Sequence, residues 1–319
     1  MVSYQRPTGS GFGPETTTAE VLSGIDLTGQ VAIVTGGYSG IGISTTQALA
    51  AAGATVVVPA RRPDVAAQQL GGIKGVEVAE LDLADLGSVR AFTESFLTGR
   101  KSLDLLINNA AVMATPLTRV GPGWEAQFAT NHLGHFALTA LLWPALVRAE
   151  GARVISLSSW GHKASDIRWD DLQFHNGYEK WQAYGQAKTA NVLFARHLDK
   201  LGEPVGVRAF SVFPGGIRTP LQRHLPDREM VALGWIDEAG NDIYPWKTPD
   251  QGAATTVWAA TSPQLDGMGG VYCEDVDVAA IADLGTEEGH ARGVNPYAID
   301  PVSAERLWTL SAGLTGTNL

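Results

Sequence analysis

The sequence predicts a doubly wound parallel α/β sheet of about seven strands, with helices on both faces, in a single domain. Three observations lead there. Short runs of Val, Ile and Leu recur between helical stretches. The first clear strand ends in a glycine-rich turn that opens a helix, VAIVTGGYSGIG at 31–42. No shift in composition marks a second domain across the 319 residues. Strands that alternate with helices need crossovers, and the crossovers cover both faces of a parallel sheet. Strands buried on both faces read as continuous apolar runs rather than alternating ones.

The elements follow in order. Residues 1–27 form an N-terminal arm; 1–18 is rich in Gly, Thr, Ser and Pro and irregular, and a short helix starts at Thr18. The folded domain spans 28–282. Its first strand covers 30–35, and the turn at 36–42 leads to a helix near 41–52. Further strands are read at 54–59, 76–81, 103–108, 153–157, 205–212 and 270–273. Helices are read at 86–98, 178–201 and 251–260, with a long or bent one over 124–150 that has Pro144 near its end. Residues 219–248 mix Pro, Trp and charges and read as an irregular lid over the substrate. A C-terminal extension, 283–319, carries a helix at 303–311.

The bulk numbers exclude several classes. A net charge of −10 and a pI near 5.1 argue against nucleic acid or an anionic membrane as partner, since both reward basic patches. One cysteine, Cys273, rules out an internal disulfide and a multi-cysteine metal site, so no metal is expected. Its place after an apolar strand reads as buried packing. The N-terminus lacks the apolar core of a secretion signal, and no apolar run is long enough to span a membrane. A cytoplasmic location is the expectation.

Gly36, Gly40 and Gly42 stand where a strand turns into a helix. Glycines there let backbone approach a pyrophosphate, and the helix start offers free N–H groups and a positive dipole end. The alternative is a plain turn that needs glycine for its backbone angles. The end of the next strand selects the cofactor. An acid would hold the adenosine ribose, whereas arginine suits a 2′-phosphate. The chain has Arg61 and Arg62 there and no acid before Asp64, which favours NADP(H) over NAD(H). The alternative is that both arginines simply face solvent.

Tyr184 and Lys188 are four residues apart on a helix and share a face. A free phenol titrates near 10, so an ammonium beside it is expected to favour the phenolate. The strand at 153–157 runs into Ser158 and Ser159 just before that helix, which puts a hydroxyl within reach of the same substrate oxygen.

Together these motifs resemble the short-chain dehydrogenase/reductase family. The resemblance rests on Thr35-Gly36-x3-Gly40-Ile41-Gly42, Asp82-Leu83, Asn108-Asn109-Ala110-Ala111, Asn131-His-Leu-Gly-His-Phe, Ser158-Ser159, Tyr184-x3-Lys188 and Pro214-Gly215-x3-Thr219, in order, over about 28–275. Within the family, Asn131-His-Leu-Gly-His-Phe and Leu172-Gln-Phe-His-Asn resemble the retinol-dehydrogenase-like branch. The lead-in Thr17–Gly24 is similar to that of the WW-domain oxidoreductases.

The resemblance implies a Rossmann fold and roles for single residues. Asn131 holds a water in a proton relay through Lys188. Ser159 binds the substrate oxygen, with Ser158 as the alternative. Tyr184 is the acid/base, and Lys188 lowers its pKa and binds the nicotinamide ribose. The cofactor set is Gly36, Ser39, Gly40, Ile41, Gly42, Arg61, Arg62, Asp82, Leu83, Asn109, Ala110, Ala111, Tyr184, Lys188, Pro214, Gly215, Ile217 and Thr219. Ala111 departs from the family's more usual glycine and adds a methyl to the cleft floor.

Trp160, His162, Leu221 and Trp235 are the candidate substrate contacts, and the apolar lid residues point to a lipophilic or aromatic substrate. His132 and His135 read as residues that pack or hydrogen-bond on their helix. The expected function is hydride transfer between nicotinamide and a carbonyl or alcohol. The alternatives are epimerisation through a transient ketone and a non-catalytic cofactor sensor. The resemblance also implies a homodimer or homotetramer, one interface of which the arm and the tail are able to block.

Overall fold

A computed structural model describes residues 5–319. Its elements run α1 (Thr18–Val21), β1 (Val31–Val34), α2 (Ile41–Ala51), β2 (Thr55–Ala60), α3 (Pro63–Leu70), β3 (Val76–Glu80), α4 (Leu86–Gly99) and β4 (Leu105–Asn108). There follow β5 (Arg119–Val120), β6 (Trp124–Glu125), α5 (Ala126–Phe128), α6 (Gly134–Arg148), β7 (Arg153–Leu157), α7 (Lys180–Gly202) and β8 (Arg208–Phe213). The last are α8 (Asp227–Ala232), α9 (Pro249–Thr261), β9 (Tyr272–Glu274), β10 (Asp277–Val278), α10 (Glu287–Ala291) and α11 (Pro301–Thr315).

The main sheet has the order β10-β9-β8-β7-β4-β1-β2-β3. Seven strands are parallel, as the sequence predicts, and a short eighth, β10, turns back antiparallel to β9. The chain reverses its direction of winding at β1, which pairs with both β2 and β4. Such a reversal opens a crevice at the carboxyl ends of the strands, where ligands bind. Along β1, Ala32 and Val34 pack with α2 and α9 on one face, while Ile33 packs with α4, α6 and α7 on the other. Trp258 anchors the first layer, and Phe136, Phe194 and Trp308 anchor the second.

Several elements differ from the sequence reading, each for a local reason. α3 begins with Pro63 at its first turn, where a missing N–H costs nothing. The segment read as helix from 124 opens instead with Trp124 and Glu125 paired against β5. Glu125 then caps the helix through both carboxylate oxygens, which accept from the N–H groups of Gln127 and Phe128. A π turn at Ala129–Leu133 separates α5 from α6. The irregular lid contains a 3₁₀ turn at Pro220–His224 and the helix α8.

Both ends of the described residues pack on the domain. Thr17 and Glu20 close a capping box on α1. The Gln5 side chain bonds the backbone of Tyr272 and Ala279, and Thr8 and Gly9 donate to Asp277. In the tail, Trp308 of α11 stacks on Phe194 at 5.9 Å and meets Phe136 edge-on at 4.8 Å. Among the described residues, no helix is long and apolar enough to cross a membrane.

Candidate active site

The crevice is a cleft of about 960 Å³ above the carboxyl ends of β1, β2, β4, β7 and β8. One end is built from the glycine turn. Gly36 and Gly40 have φ of +64° and +54°, which side chains rarely adopt. A Cβ on Gly42 would lie 2.3 Å from the Gly36 carbonyl oxygen, so α2 packs directly on the turn. No side chain caps the N-terminus of α2, and Gly36, Ser39, Gly40 and Ile41 line the cleft there. Uncapped N–H groups at the start of an 11-residue helix, beside backbone that no side chain screens, fit a dinucleotide pyrophosphate. Arg61 and Arg62 are exposed at the far end of β2 and border the same cleft, as do Asp82 and Leu83 after β3.

The floor is tied together by side chains. Asn109 donates through Nδ2 to the Thr35 carbonyl at 2.7 Å, and the N–H groups of Asn109 and Ala110 both donate to Thr35 Oγ1 at 2.9 Å. Ala110 and Ala111 line the cleft. Asn131 sits in the π turn and is fully buried. Its amide clasps Val112 both ways, accepting from the N–H at 2.8 Å and donating to the carbonyl at 2.9 Å. The neighbouring Thr130, not the Asn131 side chain, faces the cleft. π turns of this kind recur at functional sites because the inserted residue redirects its neighbours.

The two serines diverge. Ser158 Oγ donates to the Lys188 carbonyl at 2.9 Å and is buried. Ser159 caps the 3₁₀ turn Trp160–Ala164, accepting from Gly161 N–H at 3.0 Å, and hydrogen-bonds the Tyr184 phenol. Gly161 makes this approach possible, since a Cβ there would stand 2.7 Å from the Tyr184 ring. Sequence reasoning missed Gly161; its signal was a glycine two residues after the serine. Lys188 Nζ lies 5.6 Å from the centre of the Tyr184 ring and donates to the Leu157 carbonyl at 3.0 Å.

The electrostatics of the pair differ from the expected ones. Burial pushes Tyr184 up to about 12, against a smaller opposing effect of the Ser159 hydrogen bond. Burial alone pushes Lys188 down to about 7. Loss of water disfavours the charged form of both groups, and Ser159 rather than Lys188 supplies the effect that opposes it at the phenol. Both shifts run toward the neutral form of the group concerned.

At the other end of the cleft stand Trp160, Leu221 and Trp235, with Pro214, Gly215, Ile217 and Thr219 between them and the floor. His162 does not join them. Its ring is buried against Tyr272, Nδ1 donates to the Ser159 carbonyl, and Nε2 accepts from Asn295 N–H at 3.1 Å. It holds the C-terminal extension, and desolvation pushes its pKa down to about 4. Trp181 and Ala291 line the cleft without having been singled out. Trp181 lies one turn before Tyr184 on α7, a spacing that could have found it. Among the described residues, no three His, Cys, Asp or Glu side chains are grouped to hold a metal ion.

This fold and cleft define a nicotinamide-dependent oxidoreductase. Residues 30–230 match the short chain dehydrogenase family, and the chain belongs to it. It is 43% identical over 304 residues to the Streptomyces lividans protein named "Probable oxidoreductase", covering 91% of this chain and all of that one. It is 36% identical over 300 residues to mouse "Retinol dehydrogenase 11", covering 92% and 89%. It superposes with a TM-score of 0.62 on the Pseudomonas aeruginosa RhlG/NADP active-site complex, with 26% identity, over 79% of this chain and 97% of the other. The protein is an NAD(P)(H)-dependent oxidoreductase acting on a small molecule.

Proposed function

We propose that the protein is an NADP(H)-dependent ketone reductase of the retinol-dehydrogenase-like branch, acting on lipophilic or aromatic carbonyl compounds. The observation that carries this is the Ser159–Tyr184–Lys188 arrangement beside a dinucleotide-shaped cleft. Gly36, Ser39, Gly40 and Ile41 cradle the pyrophosphate. Arg61 and Arg62 receive the 2′-phosphate, and Ile217 and Thr219 border the nicotinamide. When bound, the cofactor supplies the hydride. Tyr184 hydrogen-bonds the carbonyl oxygen and gives it a proton as negative charge develops there. At neutral pH the phenol carries the proton that reduction consumes. Ser159 holds the same oxygen. Lys188 would reach the cofactor ribose and stabilise the phenolate left behind, and the proton would return by a relay past the Asn131 backbone, the Asn131 amide being held by Val112.

The segment 219–248 supports this substrate class. A chain of rings runs outward from the acid: Tyr184 to Trp181 at 6.3 Å, Trp181 to Trp235 at 6.2 Å, Trp235 to Trp246 at 5.4 Å, Trp246 to Tyr244 at 4.6 Å. Glu229 fixes the first of these, accepting from Trp181 Nε1 at 2.8 Å and from Lys180 Nζ at 2.5 Å. Such a wall offers edges and faces to a flat apolar molecule. The test is a fluorescence titration with NADPH and NADH, followed by turnover of aryl and polycyclic ketones. Tyr184→Phe is expected to bind NADPH as tightly as the native chain and to turn over at least a thousandfold more slowly. Undiminished turnover by that variant, or failure of the native chain to bind NADPH, overturns the proposal.

A further inference from the structure

His135 belongs to no role described so far. It lies in the first turn of α6, two residues past the π turn, and is 2% exposed. Its ring spans two parts of the cleft. Nδ1 is 3.0 Å from the Asn131 carbonyl oxygen, and Nε2 is 2.9 Å from Thr35 Oγ1. The hydrogen-bond inventory admits one arrangement. A carbonyl only accepts, so Nδ1 carries a proton. Thr35 Oγ1 already accepts the N–H groups of Asn109 and Ala110, which uses both of its lone pairs. Its own proton is left to give, and it has two acceptors, Nε2 at 2.9 Å and the Ile107 carbonyl oxygen at the longer distance of 3.3 Å. A second ring proton would face an oxygen with no lone pair to offer. The ring is therefore neutral with the proton on Nδ1, in accord with a pKa that desolvation pushes down to about 4.

We propose that His135 is a positioning residue for the reaction. It joins the backbone of Asn131 on the relay side to Thr35, and through Thr35 to the Asn109–Ala110 floor, so that the two walls of the cleft keep one register. The Asn131 side chain completes the loop by clasping Val112, two residues past Ala110. The circuit Asn131–His135–Thr35–Ala110–Val112–Asn131 is closed, and each of its bonds joins groups that are buried or half-buried. A buried ring of satisfied polar groups is rigid because any member displaced leaves another unpaired. The inference rests on the proton path proposed above, but the coupling itself is a property of the chain alone.

Hydrogen exchange in the cofactor-free protein tests the coupling directly. His135→Phe keeps the ring volume and removes both bonds. Amide exchange in 108–112 is expected to rise at least tenfold in this variant, together with exchange in 128–136. Thr35→Val cuts the circuit at its other end and is expected to raise both segments likewise. Thr35→Ser, which keeps the hydroxyl, is expected to restore native exchange. In the holoenzyme, His135→Phe and Thr35→Val are each expected to weaken NADPH binding and lower kcat at least tenfold. The double variant is expected to be no worse than the worse single one. If exchange rises only around 128–136, or if Thr35→Val keeps native exchange, affinity and kcat, His135 is packing alone and the proposal is overturned. A native chain that binds no NADPH sinks the function proposed above, while the exchange result still decides the coupling.

Discussion

Lys188→Met separates the electrostatic account of the site from a simpler one. Lys188 is 3% exposed and has one carbonyl partner, Leu157, which also accepts from Asn191 Nδ2 at 2.8 Å. Burial lowers its pKa from 10.5 to about 7. The unfolded chain therefore binds this proton more tightly than the folded one. The lysine's contribution to stability is full above about pH 10.5 and is lost as the pH falls toward 7. At ~1.4 kcal/mol per pKa unit, a folded chain that must keep the ammonium charged below pH 7 forgoes about 5 kcal/mol. Methionine has similar length and no charge to desolvate. Urea denaturation followed by tryptophan fluorescence, at pH 6 and pH 9, gives the stability of each protein. Titrations elsewhere in the chain are common to both and cancel. The methionine variant is expected to gain more over the native chain at pH 6 than at pH 9, by about 2.5 kcal/mol from integrating the linkage over that interval. An equal difference at the two pH values would mean that Lys188 keeps an ordinary pKa, and the reasoning about both members of the pair would fall with it.

Three other substitutions read the fold and the lid. Trp308→Ala removes the ring that stacks on Phe194 and is expected to cost about 3–5 kcal/mol in chemical denaturation. Gly134→Ala would set a Cβ 2.2 Å from the Leu83 carbonyl oxygen, which is backbone and cannot swing aside. The forced shift is expected to cost ~1–3 kcal/mol of stability and, because Leu83 borders the cleft, to weaken NADPH binding measured by titration. Trp235→Ala is expected to leave NADPH affinity unchanged and to raise KM for polycyclic aromatic ketones roughly tenfold, with small aliphatic ketones unaffected.

The parallel strands were legible because their apolar runs are continuous, and α2 because glycine ends the strand before it. What escaped were features set by partners distant in the chain. Glu125 reads as one more helical residue until Trp124 pairs with Val120 and turns its carboxylate onto the next helix. His162, two residues past Trp160, sits near Ser159 in sequence. Yet Asn295 and Tyr272, more than a hundred residues on, take its ring out of the cleft. The lid's ring chain joins residue 181 to residues 235–246, and no local pattern announces it.

Tyr184 and Lys188 mark the same boundary more sharply. An i,i+4 spacing puts a phenol and an ammonium on one helical face, and from that alone attraction between opposite charges is the natural forecast. The sign of the outcome, however, depends on how much water each group loses. Ser158 spends its hydroxyl on the Lys188 carbonyl, Gly161 lets the turn after Ser159 close on the Tyr184 ring, and Met113 after β4 packs with that ring together with Leu225 and Met230. Each of these contacts excludes solvent from a pair that spacing alone would leave exposed. Burial thereby raises the phenol to about 12 and leaves the lysine near its titration midpoint at neutral pH.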